Sequence, residues 1–355
     1  MFTVKDLCSL LYKQEDYFRM THELKKIITA YTNAKQQNIK TVLATVVALK
    51  GSSYRRPGVR MLILNNGETV GAVSGGCVEK EVIRQASSVF KTGIAKVMTY
   101  DGRYRLGCEG ILYILIEPFE PSVAFCTNFW NTIKSRNNFS ITSYFEQKDV
   151  ENIGFGSVFS FSDDKNPVFS QFTLNEELQT FKQELEPCFK LMVIGAEHDA
   201  VQLTSYAALT GWEVMVCVIP NEEKQLLDFP GAESLQATIP ENLDVSKIDN
   251  QTAIVLMTHS YVKDLQYLLA LKNTQPVYIG LLGPATRREK LLNEFLEHYP
   301  EVDEAFLDVV HGPAGLHIGA ETPQEISISI VAEILTVIRK TKPIRLKDKI
   351  GKIHN

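Results

Sequence analysis

Two cysteines in this sequence lie beside glycines at the end of an apolar run: Cys77 closes "VGAVSGGC", and Cys108 lies in "RLGCEG". Glycines let backbone amides come close to a ligand, and a helix starting at such a turn aims its unpaired N–H groups and positive dipole end outward. An anion is favoured there, and a thiol has its pKa lowered. Ser74, Gly75, Gly76, Cys77 and Glu79 therefore form one candidate turn, and Gly107 and Cys108 a second. A third loop, "GSSYRRPGVR", adds Ser52 and Ser53 with Arg55, Arg56 and Arg60, whose guanidinium forks match phosphate or oxo-anion oxygens. Thiolates can ligate a soft metal or carry sulfur, so Cys77 and Cys108 are also the candidate metal contacts. The competing reading is structural: a tight turn, cysteines acting as small packing residues, and arginines solvated on a surface loop.

Such loops need a scaffold. The β-branched run 41–49 reads as a buried strand, "VRMLILNNGETVGAV" as a hairpin turning at Asn66-Gly67, and 78–90 as a helix, followed by strands at 95–100 and 111–116. Helical spacing also covers 15–37. From 118 to 187 the pattern is less regular, with strands expected at 141–145 and 157–161 and a polar helix at 175–186. The domain boundary is placed at its end, giving domains 1–187 and 188–345.

The second half alternates strand and helix from "FKLMVIG" onward, which implies an α/β fold with a parallel sheet covered on both faces, a Rossmann-like domain. Its last helix announces its start: Thr322 stands at the N-cap, Pro323 in the first turn and Glu325 three residues after the cap. Ile326, Ile330, Val331, Ile334, Leu335 and Ile338 then share one face. The first strand is followed by Gly195-Ala196-Glu197-His198, where a dinucleotide fingerprint would place a second glycine at Glu197. A side chain and a negative charge there oppose a pyrophosphate, and Val218, Ile219 and Pro220 occupy the usual place of a ribose-binding acid. NAD(P) binding is therefore doubtful. His259, at a strand end, and the stretch "HGPAGLHIGAETP" add His311, Gly312, Gly315, His317 and Glu321 to the ligand-crevice candidates, with Gly195 and His198.

Composition narrows the field of partners. The chain has 355 residues and a formal net charge of −5, which argues against nucleic acid. No stretch approaches the roughly 20 apolar residues of a membrane helix. The N-terminus has no basic-then-apolar signal pattern, so a cytoplasmic protein is expected. Six cysteines without a CxxC pair are expected as free thiols, not a zinc site.

Together, "GSSYRRPGVRMLI", "GETVGAVSGGCVEKEV", "LGCEG", "VLMTHSYVKDL", "YIGLLGPATRREKLL" and "GPAGLHIGAETPQEISISIVAEI" closely resemble the XdhC/CoxI family of xanthine dehydrogenase accessory factors. The resemblance spans nearly the whole chain and implies an N-terminal α/β XdhC/CoxI domain followed by the Rossmann domain. It also implies a maturation factor, without turnover of its own, that binds the molybdenum cofactor (molybdopterin). Such a factor protects the cofactor during sulfuration by a cysteine desulfurase and delivers it to an apo molybdenum hydroxylase. A homodimer is expected. Cys77 and Cys108 fall in the family's "SGGC" and "GC-x-G" motifs. Glu197, Val218, Tyr54 and Glu109 depart from the family pattern. The alternatives are an NAD(P)-dependent oxidoreductase, or an adaptor that docks the desulfurase to the hydroxylase without holding cofactor.

Overall fold

The computed structural model describes residues 21–51, 56–74, 76–102 and 110–350, with Cys77 described through its backbone. The chain divides into two compact units, Met1–Cys188 and Phe189–Asn355. No helix among the described residues is long and apolar enough to cross a membrane.

The first unit contains α1 (Thr21–Gln36), β1 (Thr41–Lys50), β2 (Arg60–Leu64), β3 (Thr69–Gly71), α2 (Cys77–Thr92), β4 (Lys96–Asp101), β5 (Ile111–Pro118) and α3 (Val123–Lys134). They are followed by β6 (Phe139–Phe145), β7 (Val150–Glu151), β8 (Gly156–Phe161), β9 (Asp164–Pro167) and β10 (Gln179–Leu185). These strands build two antiparallel sheets, ordered β3-β2-β1-β5-β4-β7 and β10-β6-β8-β9. Because successive strand residues point to opposite faces, β1 serves two cores. Val42, Ala44 and Val46 pack beneath Val78, Val82, Ala86 and Val89 of α2. Leu43, on the other face, joins Leu62, α1, α3 and the aromatic residues of the second sheet, among them Phe139 and Phe159.

Two local expectations change. At Asn66-Gly67 only Gly67 takes a positive φ, 94°, and Leu64 pairs with Glu68 and Gly67, so the hairpin closes through a bulged turn. The stretch read as a polar helix at 175–186 contains β10 instead, paired residue for residue with β6. Its Gln183 and Leu185 are buried while Lys182 is exposed, a period of two that high polarity disguised.

In the second unit β11 (Lys190–Ile194), α4 (His198–Leu209), β12 (Glu213–Val218), β13 (Ser234–Ala237), β14 (Thr252–Leu256) and α5 (Tyr261–Ala270) come first. β15 (Tyr278–Leu281), α6 (Ala285–His298), α7 (Glu304–Asp308), β16 (Val310–His311) and α8 (Pro323–Ile338) complete it. All six strands are parallel, in the order β13-β12-β11-β14-β15-β16. Numbered within the unit this is 3-2-1-4-5-6, the doubly wound Rossmann order, whose direction reverses between β11 and β14. One core joins the sheet to α4 and α8, the other to α5, α6 and α7. The capping box of α8 forms as its sequence implies: Thr322 Oγ1 accepts from Glu325 N, and the Glu325 carboxylate accepts from Thr322 N. Ile330, Val331 and Ile334 are buried by it.

Gly195 follows β11 at the point of reversal, where a Cβ would lie 2.4 Å from the Met257 carbonyl oxygen. Any side chain there must push β11 and β14 apart. Gly195→Ala is therefore expected to cost about 2–3 kcal/mol, read as a lower urea midpoint at unchanged m-value. A midpoint equal to that of the unsubstituted chain would contradict the close-approach argument.

Candidate functional site

The glycine turn before α2 is stapled from inside. Gly76 is the N-cap residue with φ 123°, and Cys77 is the first residue of the helix. Glu79 turns back over this start. Its Oε1 accepts from Ser74 N at 2.7 Å, while its Oε2 accepts from Ser74 Oγ and Gly76 N at 2.8 Å each. Burial pushes the Glu79 carboxyl up, but the Ser74 hydroxyl and the amides of Glu79, Ser74 and Gly76 outweigh it and hold it below the usual range. Glu79 thus supplies the negative charge that a helix start attracts. The donors of Ser74 and Gly76 that the sequence suggested for an external anion are engaged by this carboxylate, so both residues and Glu79 frame the turn instead of offering it open.

Arg60 changes role more completely. It lies on β2, 2% exposed, directed away from solvent. Its Nη1 donates to Gly58 O and to Gln183 Oε1, both at 2.8 Å. A Cβ on Gly58, whose φ is 101°, would meet Gln183 at 2.7 Å, so glycine, arginine and glutamine fit as one piece. Burial lowers the Arg60 pKa to about 10, opposed by the charges of Glu117 and Glu23. At neutral pH the guanidinium remains charged. Glu117 is fully buried on β5, its two oxygens accepting from Ser157 N and Ser157 Oγ at 2.7 Å each. Ser157 Oγ also lies 2.8 Å from Ser143 Oγ. Arg60 Nη2 and Thr45 Oγ1 are buried in the same layer without a hydrogen-bond partner among the described residues. Arg60 is therefore withdrawn from the anion-binding set: a guanidinium held between two sheets cannot contact a ligand at a surface loop. Ser52, Ser53, Arg55, Gly75, Gly107 and Cys108 lie outside the described residues.

At the reversal point of the second unit, His259 takes φ 56° and brings Nε2 to 3.6 Å from Asp199 Oδ2. Its loop is anchored by Asp264, 2% exposed, which accepts from Thr258 N, Thr258 Oγ1 and Arg287 Nη2. Glu197 is the exposed N-cap residue of α4, with His198 exposed beside it and Asp199 in the first turn. Two carboxylates thus stand where a pyrophosphate would require donors. A further carboxylate reaches the end of β12, which the sequence reading left without one: Glu222 accepts from Ile219 N at 3.2 Å through a short helical turn.

The loop after β16 is fastened to α8. Glu333 accepts from Tyr278 Oη at 2.6 Å and Gly315 N at 2.7 Å and lies 3.3 Å from His311 Nδ1, while the His311 and Tyr278 rings stack at 4.5 Å. Burial pushes the Glu333 carboxyl up, and His311, Tyr278 and Gly315 together bring it below the usual range. A Cβ at Gly315 would meet Ser329 Oγ at 2.4 Å, and one at Gly312 would meet Arg288 at 3.0 Å. Both glycines are explained by packing, without a ligand. Glu321 and His317 are exposed on this loop, and the Glu321 amide donates to Glu325. Glu333 and Glu117 escape the sequence reading, yet each leaves a trace there: a single carboxylate in an otherwise apolar element, "ISISIVAEILTVI" and "ILYILIEPF".

Comparison with known proteins places these features. Residues 34–101 match the family described as "XdhC and CoxI family", and residues 191–334 match "XdhC Rossmann domain". A Bacillus subtilis (strain 168) protein whose name makes it a probable xanthine dehydrogenase subunit is 30% identical over 314 residues, covering 83% of this chain and 92% of its own. The molybdenum cofactor insertion chaperone PaoD of Escherichia coli (strain K12) is 23% identical over 329 residues, 92% of each chain. A crystal structure described as a xanthine dehydrogenase from Bacillus halodurans has a TM-score of 0.72 at 24% identity, over 89% of this chain and 96% of that one, and shares the fold.

The buried polar layer has a measurable signature. Burial pushes the Glu117 carboxyl up from an ordinary 4.5 to about 7, against the pull of Ser157 and Arg60. Between those values the folded protein keeps a proton that the unfolded chain has released. The corresponding stability is complete below about pH 4.5 and is lost as pH rises through about 7, on the order of 3 kcal/mol in all. Glu117→Gln should abolish this slope, so urea-unfolding free energies of the two chains should diverge between about pH 5 and pH 8. Parallel profiles would contradict the assignment.

Proposed function

We propose a function for this chain, which belongs to the XdhC and CoxI family: it is an accessory factor of molybdenum hydroxylases that carries the molybdenum cofactor as cargo. In this reading it holds the cofactor while a cysteine desulfurase sulfurates it and then passes it to the apo-enzyme. The names of two relatives, a molybdenum cofactor insertion chaperone and a probable xanthine dehydrogenase subunit, support an accessory role in that chemistry. The observation that carries the reading is the stapled turn, which fixes Cys77 at the first residue of α2 inside the family-matched stretch 34–101.

The cargo presents a phosphate, a dithiolene and an oxo-metal centre. Glu79 already occupies donors of the α2 turn, so its phosphate is better served by Ser52, Ser53 and Arg55. Cys77 and Cys108 are the residues proposed to face its sulfur and metal end. The helix dipole favours a Cys77 thiolate, and the Glu79 charge on the same turn opposes it. The chain's part is to bind, orient and shield; no bond-making step is assigned to it. The carboxylates Glu197 and Asp199 at the start of α4 disfavour the oxidoreductase alternative, because a pyrophosphate would meet two like charges.

The test is pterin content after purification from a molybdopterin-producing host, read by fluorescence. The unsubstituted chain should retain pterin, and Cys77→Ser or Cys108→Ser should lower retention of sulfurated cofactor at least tenfold while affecting desulfo-cofactor less. Bound cofactor should also protect Cys77 from alkylation. Pterin-free protein, or both variants retaining sulfurated cofactor fully, would overturn the reading.

A further inference from the structure

Two donors of the buried polar layer converge on one place. Thr45 of β1 and Arg60 of β2 stand directly opposite each other in the antiparallel register, so their side chains leave the same face of the sheet, with Cβ atoms about 4.5–5.5 Å apart. Leu43 and Leu62, the next facing pair on that side, point into the core shared with the second sheet. Thr45 is 0% exposed and Arg60 2%. Arg60 Nη2 and Thr45 Oγ1 do not bond to each other, and neither has a hydrogen-bond partner among the described residues. Buried donors on facing residues call for a shared acceptor.

Charge decides which acceptor. Arg60 Nη1 donates to two uncharged oxygens, Gly58 O and Gln183 Oε1. The Glu117 oxygens accept from Ser157 N and Ser157 Oγ, so this carboxylate acts on the guanidinium through its field, as Glu23 does. Burial pushes Glu117 up to about 7, so it carries only part of its charge at neutral pH and loses the rest in mild acid. The guanidinium stays fully charged throughout. A bridging water would add two O–H groups that need acceptors of their own and would leave the charge unmatched. An anion accepts from both donors and balances the cation.

We propose that Arg60 Nη2 and Thr45 Oγ1 hold a small monovalent anion of the halide class between the two sheets of the first unit. A phosphate or sulfate would bring a second charge and more oxygens than these two donors can satisfy. The anion and the ionised Glu117 compete for the same cation. Binding should therefore be tighter near pH 6, where Glu117 is largely neutral, than near pH 8.5, where its charge repels a second anion. The site is independent of the cargo reading.

Urea unfolding of the full chain in sodium chloride, with sodium gluconate holding the ionic strength constant, tests the proposal. Near pH 6, raising chloride from about 5 to about 200 mM should raise the ratio of folded to unfolded protein about tenfold, and near pH 8.5 less. Thr45→Val keeps the β-branched shape and removes one donor, so its response to chloride should fall below about twofold. In crystals of the unsubstituted chain grown with bromide, anomalous scattering should place a bromide within hydrogen-bond reach of both Arg60 Nη2 and Thr45 Oγ1. That measurement does not depend on how the variant folds. Equal stability in chloride and gluconate, a Thr45→Val chain with the full halide response, or a water that bromide does not displace from these two donors would overturn the proposal.

Discussion

The first unit is organised around a charge that it cannot expel. Burial brings the Arg60 guanidinium only to about 10, so at neutral pH a cation sits between two sheets and must be met by acceptors. The Gly58 carbonyl, the Gln183 amide oxygen and the field of Glu117 answer it, and each comes from a different part of the chain. Gly58 precedes β2, Gln183 belongs to β10 in the second sheet, and Glu117 lies near the end of β5. Placing one guanidinium therefore ties the turn at Gly58 and strand β10 to β2. Gly58 has to be glycine because the Gln183 amide occupies the space of its side chain.

The same economy of internal partners appears at the turns that look ready for ligands. Glu79 meets the start of α2, Glu325 the start of α8, and Asp264 the loop after β14. Each carboxylate satisfies backbone amides that would otherwise need water or a ligand. A glycine-rich turn beside a helix is thus a rigid mount as often as an open cradle. What the α2 turn fixes is the backbone position of Cys77 at the first residue of the helix, with the Ser74 and Gly76 amides before it already engaged. In the second unit Glu197, the N-cap residue of α4, makes no side-chain cap hydrogen bond and Asp199 lies in the first turn, two charges that disfavour a pyrophosphate there while leaving the Rossmann topology intact.

Much of this was legible in the residues. The β-branched run at 41–49, the Asn66-Gly67 turn, the strand-helix alternation after 189 and the Thr322 capping box each encode a local preference that tertiary packing reinforces. The failures have physical causes. β10 reads as polar because only Gln183 and Leu185 of its inward face are buried, and one of these is an amide meeting a buried arginine. Arg60 groups with Arg55 and Arg56 by chain proximity, which says nothing about which side of a sheet a residue faces; its place in the alternation of "VRMLIL" was the available clue. Glu79 sits three residues beyond the N-cap, the spacing of a capping box, but glycine at the cap hid the pattern.

The central claim is that Arg60 holds the first unit together and takes no part in the proposed cofactor binding. A double-mutant cycle on urea-unfolding free energy tests it most directly, with pterin retention measured on the same folded proteins. Arg60→Met should cost about 3–5 kcal/mol, and adding Glu117→Gln should recover at least about 1 kcal/mol of it, while folded Arg60→Met still retains pterin. Arg60→Met with unchanged stability and lost pterin would contradict the account and return this arginine to the ligand site.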